Sequence, residues 1–376
     1  MKTLLLLTMV MLALTPTFQA HDIRRLLKTG GLKAPLFQWS QCSPSEFMKS
    51  IPDNGKYQVK NYTVTTVDGY ILQMFRVRLT ATELAKLSPS LQANAKRPML
   101  IQHGLFDDST SMIQNEQNSF GMYMIQKGFD VWLGNNRGSK FSTQHLNDQI
   151  SHKDYYSYSF MQMGLYDVPS FYNEILSDYA GNPDQQIIYL GHSEGTSQMF
   201  AALADPSTKA FIRKHTERFM ALAPIVYMTN VTQIALKILP NFGKTIKHLT
   251  DDLGIYQIGS ISCGFFNPDW ASVQNWSCTN LGFLCHRSEL FPDNWKQQGL
   301  QGLDLSNSGA SVVQLIHYRQ LINGGPGDDP IFRKYDYESV EANNKAYGVS
   351  PPPEWSLDDW TTPLNLVAFG DDPLGS

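Results

Sequence analysis

The feature that most constrains the fold is the stretch from Ile187 to Phe200, where four apolar residues run into Gly-His-Ser-Glu-Gly. A helix-forming run follows, so this stretch predicts a strand, a sharp turn and a helix. In that context the pattern predicts a nucleophile elbow, in which Ser193 occupies a strained backbone position and its oxygen stands clear of the sheet. Gly191 and Gly195 let the strand and the helix pass closely because they carry no Cβ. The alternative is a purely structural glycine-rich turn.

Length and composition predict one large α/β domain with an insertion, or two ordinary domains. The chain has 376 residues, of which 42% are hydrophobic and 12% aromatic, so it can form a substantial core. Its net charge is −4 and it has no basic run, so we expect no nucleic-acid partner.

Strand-like and helix-like runs alternate between Pro98 and Pro224, which predicts a mostly parallel sheet with helices on both faces. A β-hairpin is predicted before them, with an Asp-Gly turn. The predicted strands cover 57–64, 70–77, 98–102, 129–133, 187–190, 219–224 and 364–369. Helices are predicted around 118–127 and from about 168 to 179, and 80–97 is predicted to be a polar surface excursion.

The alternation stops beyond Pro224 and a strand-like run returns only at 364–369, which is typical of a cap inserted into a sheet domain. We therefore assign 21–224 to the N-terminal part of the core and 225–360 to the cap or lid insertion and the return to the core. Residues 361–376 are assigned to the start of the C-terminal core part, which is incomplete.

The N-terminus predicts entry into the secretory pathway. One lysine precedes an apolar run over 4–14 that is too short for a membrane span, so 1–20 is assigned to a signal peptide, with an uncleaved anchor as the alternative. No later segment is apolar enough to span a bilayer. Sequons at Asn61, Asn230 and Asn275 fit the same route.

Cysteine usage fits an oxidising compartment. Cys263, Cys278 and Cys285 cluster in one region, whereas Cys42 lies far from them along the chain. One disulfide within the cluster is expected, and the sequence leaves its pairing open.

A serine hydrolase also needs oxyanion donors and an orienting acid. The expected donors are the backbone N–H groups of Glu194, which follows the serine, and of Leu105, in the loop after the strand over 98–102. The acid is expected at Asp371 or Asp372, directly after the last strand-like run, unless both only cap a turn.

The histidine base is the component that this sequence lacks. The chain order in this kind of fold is Ser, Asp, His, and no histidine follows Asp372. His192 lies in the elbow and should point away from the serine, and His317 is expected to be a structural histidine on a helical face. We therefore expect either that the chain is a fragment of a longer one or that the protein is not a working hydrolase.

The chain resembles the acid lipases, the family of gastric and lysosomal acid lipases and related steryl ester hydrolases. Besides the elbow, the stretches that carry the resemblance are 66–72, 102–105, 128–138, 158–160, 166–169 and 221–224. The resemblance implies an α/β-hydrolase fold with a mainly helical cap, in which Ser193 is the nucleophile, Leu105 and Glu194 are the oxyanion donors, and Asp372 is the triad acid with Asp371 as a fallback. It implies no metal or organic cofactor.

Two departures from the family accompany the resemblance. The C-terminal segment that carries the family's histidine is missing, and position 194 is usually glutamine in the animal enzymes. The charge of Glu194 beside an oxyanion is unfavourable unless the carboxyl group is protonated at acid pH.

The resemblance places a lid at 234–239. Helical spacing there and just before it is shown by Val231, Ile234, Ala235 and Ile238. This pattern predicts either a helix that meets a lipid–water interface or an ordinary cap helix packed on the core.

The predicted function is hydrolysis of triacylglycerols or steryl esters by a monomeric, secreted or lysosomal enzyme. The alternative is a non-catalytic lipid-binding or inactive lipase-like protein, and another serine hydrolase such as a peptidase fits the family stretches poorly.

Overall fold

The computed structural model describes residues 41–52, 54–113, 119–228, 251, 254, 256–258, 308–324 and 329–368. The predicted signal peptide, lid and cysteine cluster lie outside the described residues, as do Asp371 and Asp372.

The described strands are β1 (Tyr57–Thr65), β2 (Tyr70–Leu79), β3 (Pro98–Gln102), β4 (Asp130–Gly134), β5 (Gln144–His145), β6 (Ile187–His192), β7 (Thr216–Leu222), β8 (Gln257–Ile258), β9 (Ala310–Ser311) and β10 (Leu364–Val367). The main sheet has the order β1-β2-β4-β3-β6-β7-β10, with β5 beside β2, and β8 pairs separately with β9. The β1–β2 hairpin and the β2–β4 pair are antiparallel, whereas β4, β3, β6, β7 and β10 are parallel. The predicted hairpin and mostly parallel sheet are confirmed.

The described helices are α1 (Pro44–Lys49), α2 (Ala81–Leu84), α3 (Pro89–Gln92), α4 (Phe120–Gln126), α5 (His152–Tyr155), α6 (Phe160–Gln162), α7 (Val168–Asp178), α8 (Glu194–Ala204), α9 (Lys209–His215), α10 (Val312–Ile322) and α11 (Val340–Tyr347). A wider turn over 163–167 joins α6 to α7, and short tight turns cover 93–96 and 109–112. None of the helices described is long and apolar enough to cross a membrane.

The central strands β3 and β4 are mostly apolar because both faces of the sheet are covered. Every residue of β3 and β4 is buried. Leu100 and Tyr189 point into a cluster with residues of α7 and α8, whereas Met99 and Ile188 point into a second cluster with residues of α1 and α4. The sheet therefore fixes where the carboxyl ends of β3 and β6 emerge.

Residues of α10 and β10, late in the chain, pack onto the same core. Ile316 and Leu321 of α10 belong to the cluster that contains Phe200 of α8. β10 then pairs with β7, with Leu364 opposite Phe219. The exact limits of the insertion stay a prediction.

His317 has the structural role predicted for it. Its Nε2 donates to the Arg333 carbonyl at 3.0 Å, and its Nδ1 accepts from the Ser159 hydroxyl at 2.9 Å. The ring stacks on Phe160 with centroids 4.2 Å apart, and burial lowers the pKa of His317 to about 3. A buried, neutral histidine with both ring nitrogens in hydrogen bonds has a structural role.

Cys42 is disulfide-bonded, although it lies far along the sequence from the other cysteines. Its partner lies outside the described residues, and so does the disulfide predicted within the cluster.

Candidate active site

The predicted strand, turn and helix around Ser193 are present. β6 ends at His192, α8 begins at Glu194, and Ser193 between them has φ 52° and ψ −117°. A positive φ is strained for a residue with a Cβ and needs support from its surroundings. Here the Ser193 N–H donates to the Leu222 carbonyl at 3.0 Å, and the Ser193 carbonyl accepts from the Thr196 N–H at 2.8 Å. Ser193 is only partly buried, whereas every residue of α8 is buried.

The two glycines of the elbow are required by close backbone contacts. A Cβ on Gly191 would lie 2.5 Å from the Gly195 carbonyl oxygen, and one on Gly195 would lie 2.5 Å from the Gln102 carbonyl oxygen. The second contact holds the start of α8 directly against the end of β3.

The loop after β3 lies against the serine. A Cβ on Gly104 would be 3.2 Å from the Cβ of Ser193. Leu105, the predicted second oxyanion donor, follows Gly104 and is partly buried against the core cluster that contains Leu100 and Tyr189. The structure thus places Glu194 directly after Ser193 and the loop that contains Leu105 against the serine, whereas the predicted acid, Asp372 or Asp371, lies outside the described residues.

His103 orients this loop, a role that sequence reasoning did not give to its ring. The buried imidazole accepts from the Asn136 N–H through Nε2 at 3.1 Å, so its proton is on Nδ1, which donates to the Gly104 carbonyl at 2.8 Å. In a trans peptide the carbonyl of one residue and the N–H of the next point in opposite directions. By holding the Gly104 carbonyl, His103 therefore fixes the direction of the Leu105 N–H.

The side chain of Glu194 is buried, with 2% of its surface exposed, and it contacts α10. Gln314 places Nε2 at 2.8 and 2.9 Å from the two carboxyl oxygens. Burial raises the pKa of Glu194 to about 7, against hydrogen bonds from Gln314 and Tyr318 that lower it. The sequence contains a capping-box pattern at Ser311 and Gln314 but no signal that Gln314 contacts the elbow.

Three of the described histidines use their ring nitrogens in hydrogen bonds to backbone carbonyls. His103 and His317 are bonded as described above, and His215 contacts the Gln185 carbonyl through Nδ1 at 3.0 Å.

A strained serine, two backbone donors and a helix N-terminus suit acyl transfer, which develops negative charge on a carbonyl oxygen.

Comparison with known proteins gives two family matches. Residues 49–116 match the model of the partial α/β-hydrolase lipase region, and 97–242 match the model of the α/β hydrolase fold.

Three curated relatives have similar coverage. The chain is 30% identical over 342 residues to a tear acid lipase-like protein of Mesocricetus auratus, covering 88% of this chain and 80% of the relative. It is 28% identical to the lysosomal acid lipase/cholesteryl ester hydrolase of Homo sapiens over 84% of this chain and 75% of that protein. It is also 28% identical to the gastric triacylglycerol lipase of Bos taurus over 85% of this chain and 76% of that protein.

Proposed function

Because the chain belongs to the acid lipase family of the α/β-hydrolases, we propose that it is a lipase that hydrolyses carboxylic esters of neutral lipids. The names of the human and bovine relatives support two substrate classes, steryl esters and triacylglycerols. Both present an ester carbonyl to the enzyme at a lipid–water interface.

Ser193 is the proposed nucleophile, and the observation that carries this proposal is its backbone conformation. Ser193 is partly exposed and has φ 52° at the turn from strand to helix, and backbone strain of this kind is concentrated at functional sites. In the proposed reaction the Ser193 oxygen bonds to the ester carbonyl carbon while its proton passes to the base, and the carbonyl oxygen becomes an oxyanion that accepts from the Leu105 and Glu194 N–H groups. Collapse of this intermediate breaks the ester C–O bond, the base returns the proton to the departing alcohol, and an acyl-serine is left, which water then hydrolyses to the fatty acid.

The remaining parts of the proposed triad are an acid and a base. We assign the acid to Asp372, with Asp371 as the fallback, and the base to a histidine that follows it, in the order Ser, Asp, His of this fold. The hydrogen bonds of His103, His215 and His317 support this assignment because they occupy those rings elsewhere.

Delivery through the secretory pathway, to the extracellular space or to lysosomes, is part of the proposal. The disulfide at Cys42 and the N-terminal apolar run support an oxidising route.

The test is Ser193→Ala, with Ser177→Ala as the matched control because Ser177 lies exposed on α7 and its hydroxyl group donates to the Glu174 carbonyl. We expect S193A to lower kcat/KM on triolein and cholesteryl oleate emulsions by about 10⁴-fold or more, and to lose labelling by a fluorophosphonate. S177A should retain both. Binding of lipid without hydrolysis or labelling in the wild-type protein would instead support the non-catalytic alternative.

The base is tested separately by the intact mass of the deglycosylated protein from its source. A mass several kilodaltons above that of residues 21–376 agrees with a histidine that follows Asp372. A mass equal to that of residues 21–376 would contradict it.

A further inference from the structure

We propose that Glu194 is a pH-dependent positioning residue: its neutral carboxyl group permits oxyanion formation at the elbow, and its carboxylate opposes it. The proposal rests on the proposed function, since it concerns the oxyanion formed at Ser193. It adds Gln314 and Tyr318 of α10 to the residues that determine activity.

The first step is the position of the carboxyl group. Glu194 is the first residue of α8, directly after Ser193, and its own N–H is a proposed donor to the oxyanion. Among the described residues it forms no salt bridge, and its contacts are neutral groups of α10. The titratable group that contacts it is Tyr318 of α10. The N-terminus of α8 should stabilise the oxyanion through its positive dipole end. An ionised Glu194 places a negative charge there without a cationic partner among the described residues, so it weakens that stabilisation.

The second step is the direction of the Gln314 amide. Gln314 Oε1 accepts from the Ser311 N–H at 2.6 Å in the capping box, so its amino group must face Glu194. Gln314 can therefore only donate to Glu194, and donation stabilises the carboxylate more than the neutral acid.

The third step is the acceptor for the carboxyl proton. The Tyr318 hydroxyl bonds Glu194 and lies 3.3 Å from Ser197 Oγ, which donates to the Ile225 carbonyl at 2.7 Å. With Glu194 neutral, its O–H donates to Tyr318, which donates to Ser197. With Glu194 ionised, Tyr318 must turn its proton toward the carboxylate and release Ser197. Each state has a complete hydrogen-bond pattern, so the site can exist in both.

The pH range follows from burial, which raises the pKa of Glu194 to about 7. The carboxyl group is then largely neutral near pH 5 and largely ionised near pH 8. Activity should fall by about tenfold for each pH unit above this pKa, because only the neutral fraction supports the oxyanion.

The experiment compares pH profiles of kcat/KM on p-nitrophenyl butyrate from pH 4.5 to 9, each normalised to its own value at pH 5. We expect the alkaline decline of the wild type to disappear in Glu194→Gln. Gln314→Met removes a donor to the carboxylate, so it should raise the pKa and move the decline to higher pH. Gln320→Met is the matched control, since Gln320 is a buried glutamine of the same helix that bonds Asp336 instead, and its profile should follow the wild type.

The outcomes separate the two proposals. An E194Q profile that superimposes on the wild type, or a Q314M decline that does not move, overturns the role of Glu194 even when activity is high. If E194Q does not fold, the Q314M shift decides the question alone. Wild-type protein that shows neither ester hydrolysis nor fluorophosphonate labelling at any pH overturns the proposed function, and this inference with it.

Discussion

The two ends of α8 bury a carboxyl group in opposite ways. Asp205, directly after the last residue, accepts from Lys334 Nζ at 2.7 Å and from Trp355 Nε1 at 2.9 Å. Burial alone would raise its pKa, but hydrogen bonds from Lys334, Ser207 and Trp355 outweigh burial and lower the pKa to about 2. The partners of Glu194 among the described residues, Gln314 and Tyr318, are neutral, and burial raises the pKa of Glu194 to about 7.

The helix dipole predicts the reverse order, since it favours a negative charge at the N-terminus and disfavours one at the C-terminus. Direct partners therefore outweigh the dipole at both ends. The C-terminal end has the complete ion pair of a structural site, whereas the N-terminal end keeps a carboxyl group with a shifted pKa, as functional sites often do.

The largest effect that separates the two ends should come from Gly195→Ala. The new Cβ would meet the carbonyl oxygens of Gln102 and His103, at 2.5 and 2.9 Å, and neither backbone can yield easily. We expect a loss of about 4 kcal/mol in the free energy of unfolding, measured by urea denaturation. Gly181→Ala is the control, because a Cβ there meets nothing within 4 Å, and it should change stability by less than about 0.5 kcal/mol.

The next effect is the pH dependence of stability at the N-terminal end. An unfolded glutamate titrates near pH 4.3, so below that pH both states keep the proton and Glu194 adds no slope. Between about pH 4.3 and 7 the unfolded state loses the proton while the folded state keeps it, so stability falls as the pH rises, and the slope ends above the folded pKa. The total is about 3.7 kcal/mol.

Urea denaturation of the wild type and Glu194→Gln at pH 4.5 and 7.5 measures this slope. The free energy of unfolding of E194Q minus that of the wild type should increase as the pH rises. A constant difference would mean that Glu194 does not keep a raised pKa in the folded protein.

At the C-terminal end, Lys334→Met should cost about 2 kcal/mol at pH 7, because it leaves Asp205 without its cation. The folded pKa of Asp205 is lowered, so its contribution is present above the unfolded pKa near 3.9 and is lost as the pH falls through about 2. The cost of K334M should therefore shrink between pH 4 and 2 in thermal unfolding. Lys345→Met, on the exposed surface of α11, is the control and should have little effect at either pH.

The smallest effect concerns strain at the N-terminal end. Ser193→Gly should raise the free energy of unfolding by about 1 kcal/mol, because glycine adopts φ 52° without a steric penalty. Ser177→Gly in the regular helix α7 should instead lower it by about 0.5 to 1 kcal/mol. A destabilising S193G would mean that the serine side chain stabilises the elbow.

The sequence predicted those parts of the molecule that depend on local pattern. The buried strand at Pro98–Gln102, the hairpin and the elbow are present as expected, because a run of apolar residues or an Asp-Gly turn specifies each of them. Helix α7 begins at Val168, next to the Pro169 that predicted its start.

The residues that sequence reasoning missed are connected over long distances in the chain. Gln314 forms a hydrogen bond with Glu194, which lies 120 positions earlier in the chain. Lys334 forms an ion pair with Asp205, and no periodic pattern in the sequence predicts this contact. His103 was recognised only as a neighbour of Leu105, since its orienting contacts come from the loop after β4. Side-chain partners of this kind depend on tertiary packing and leave no local signal.

The complete burial of α8 has a consequence for motion. All eleven of its residues are buried, so its amide hydrogens should exchange with solvent only when the whole core opens. The elbow would then be among the last parts of the molecule to unfold locally.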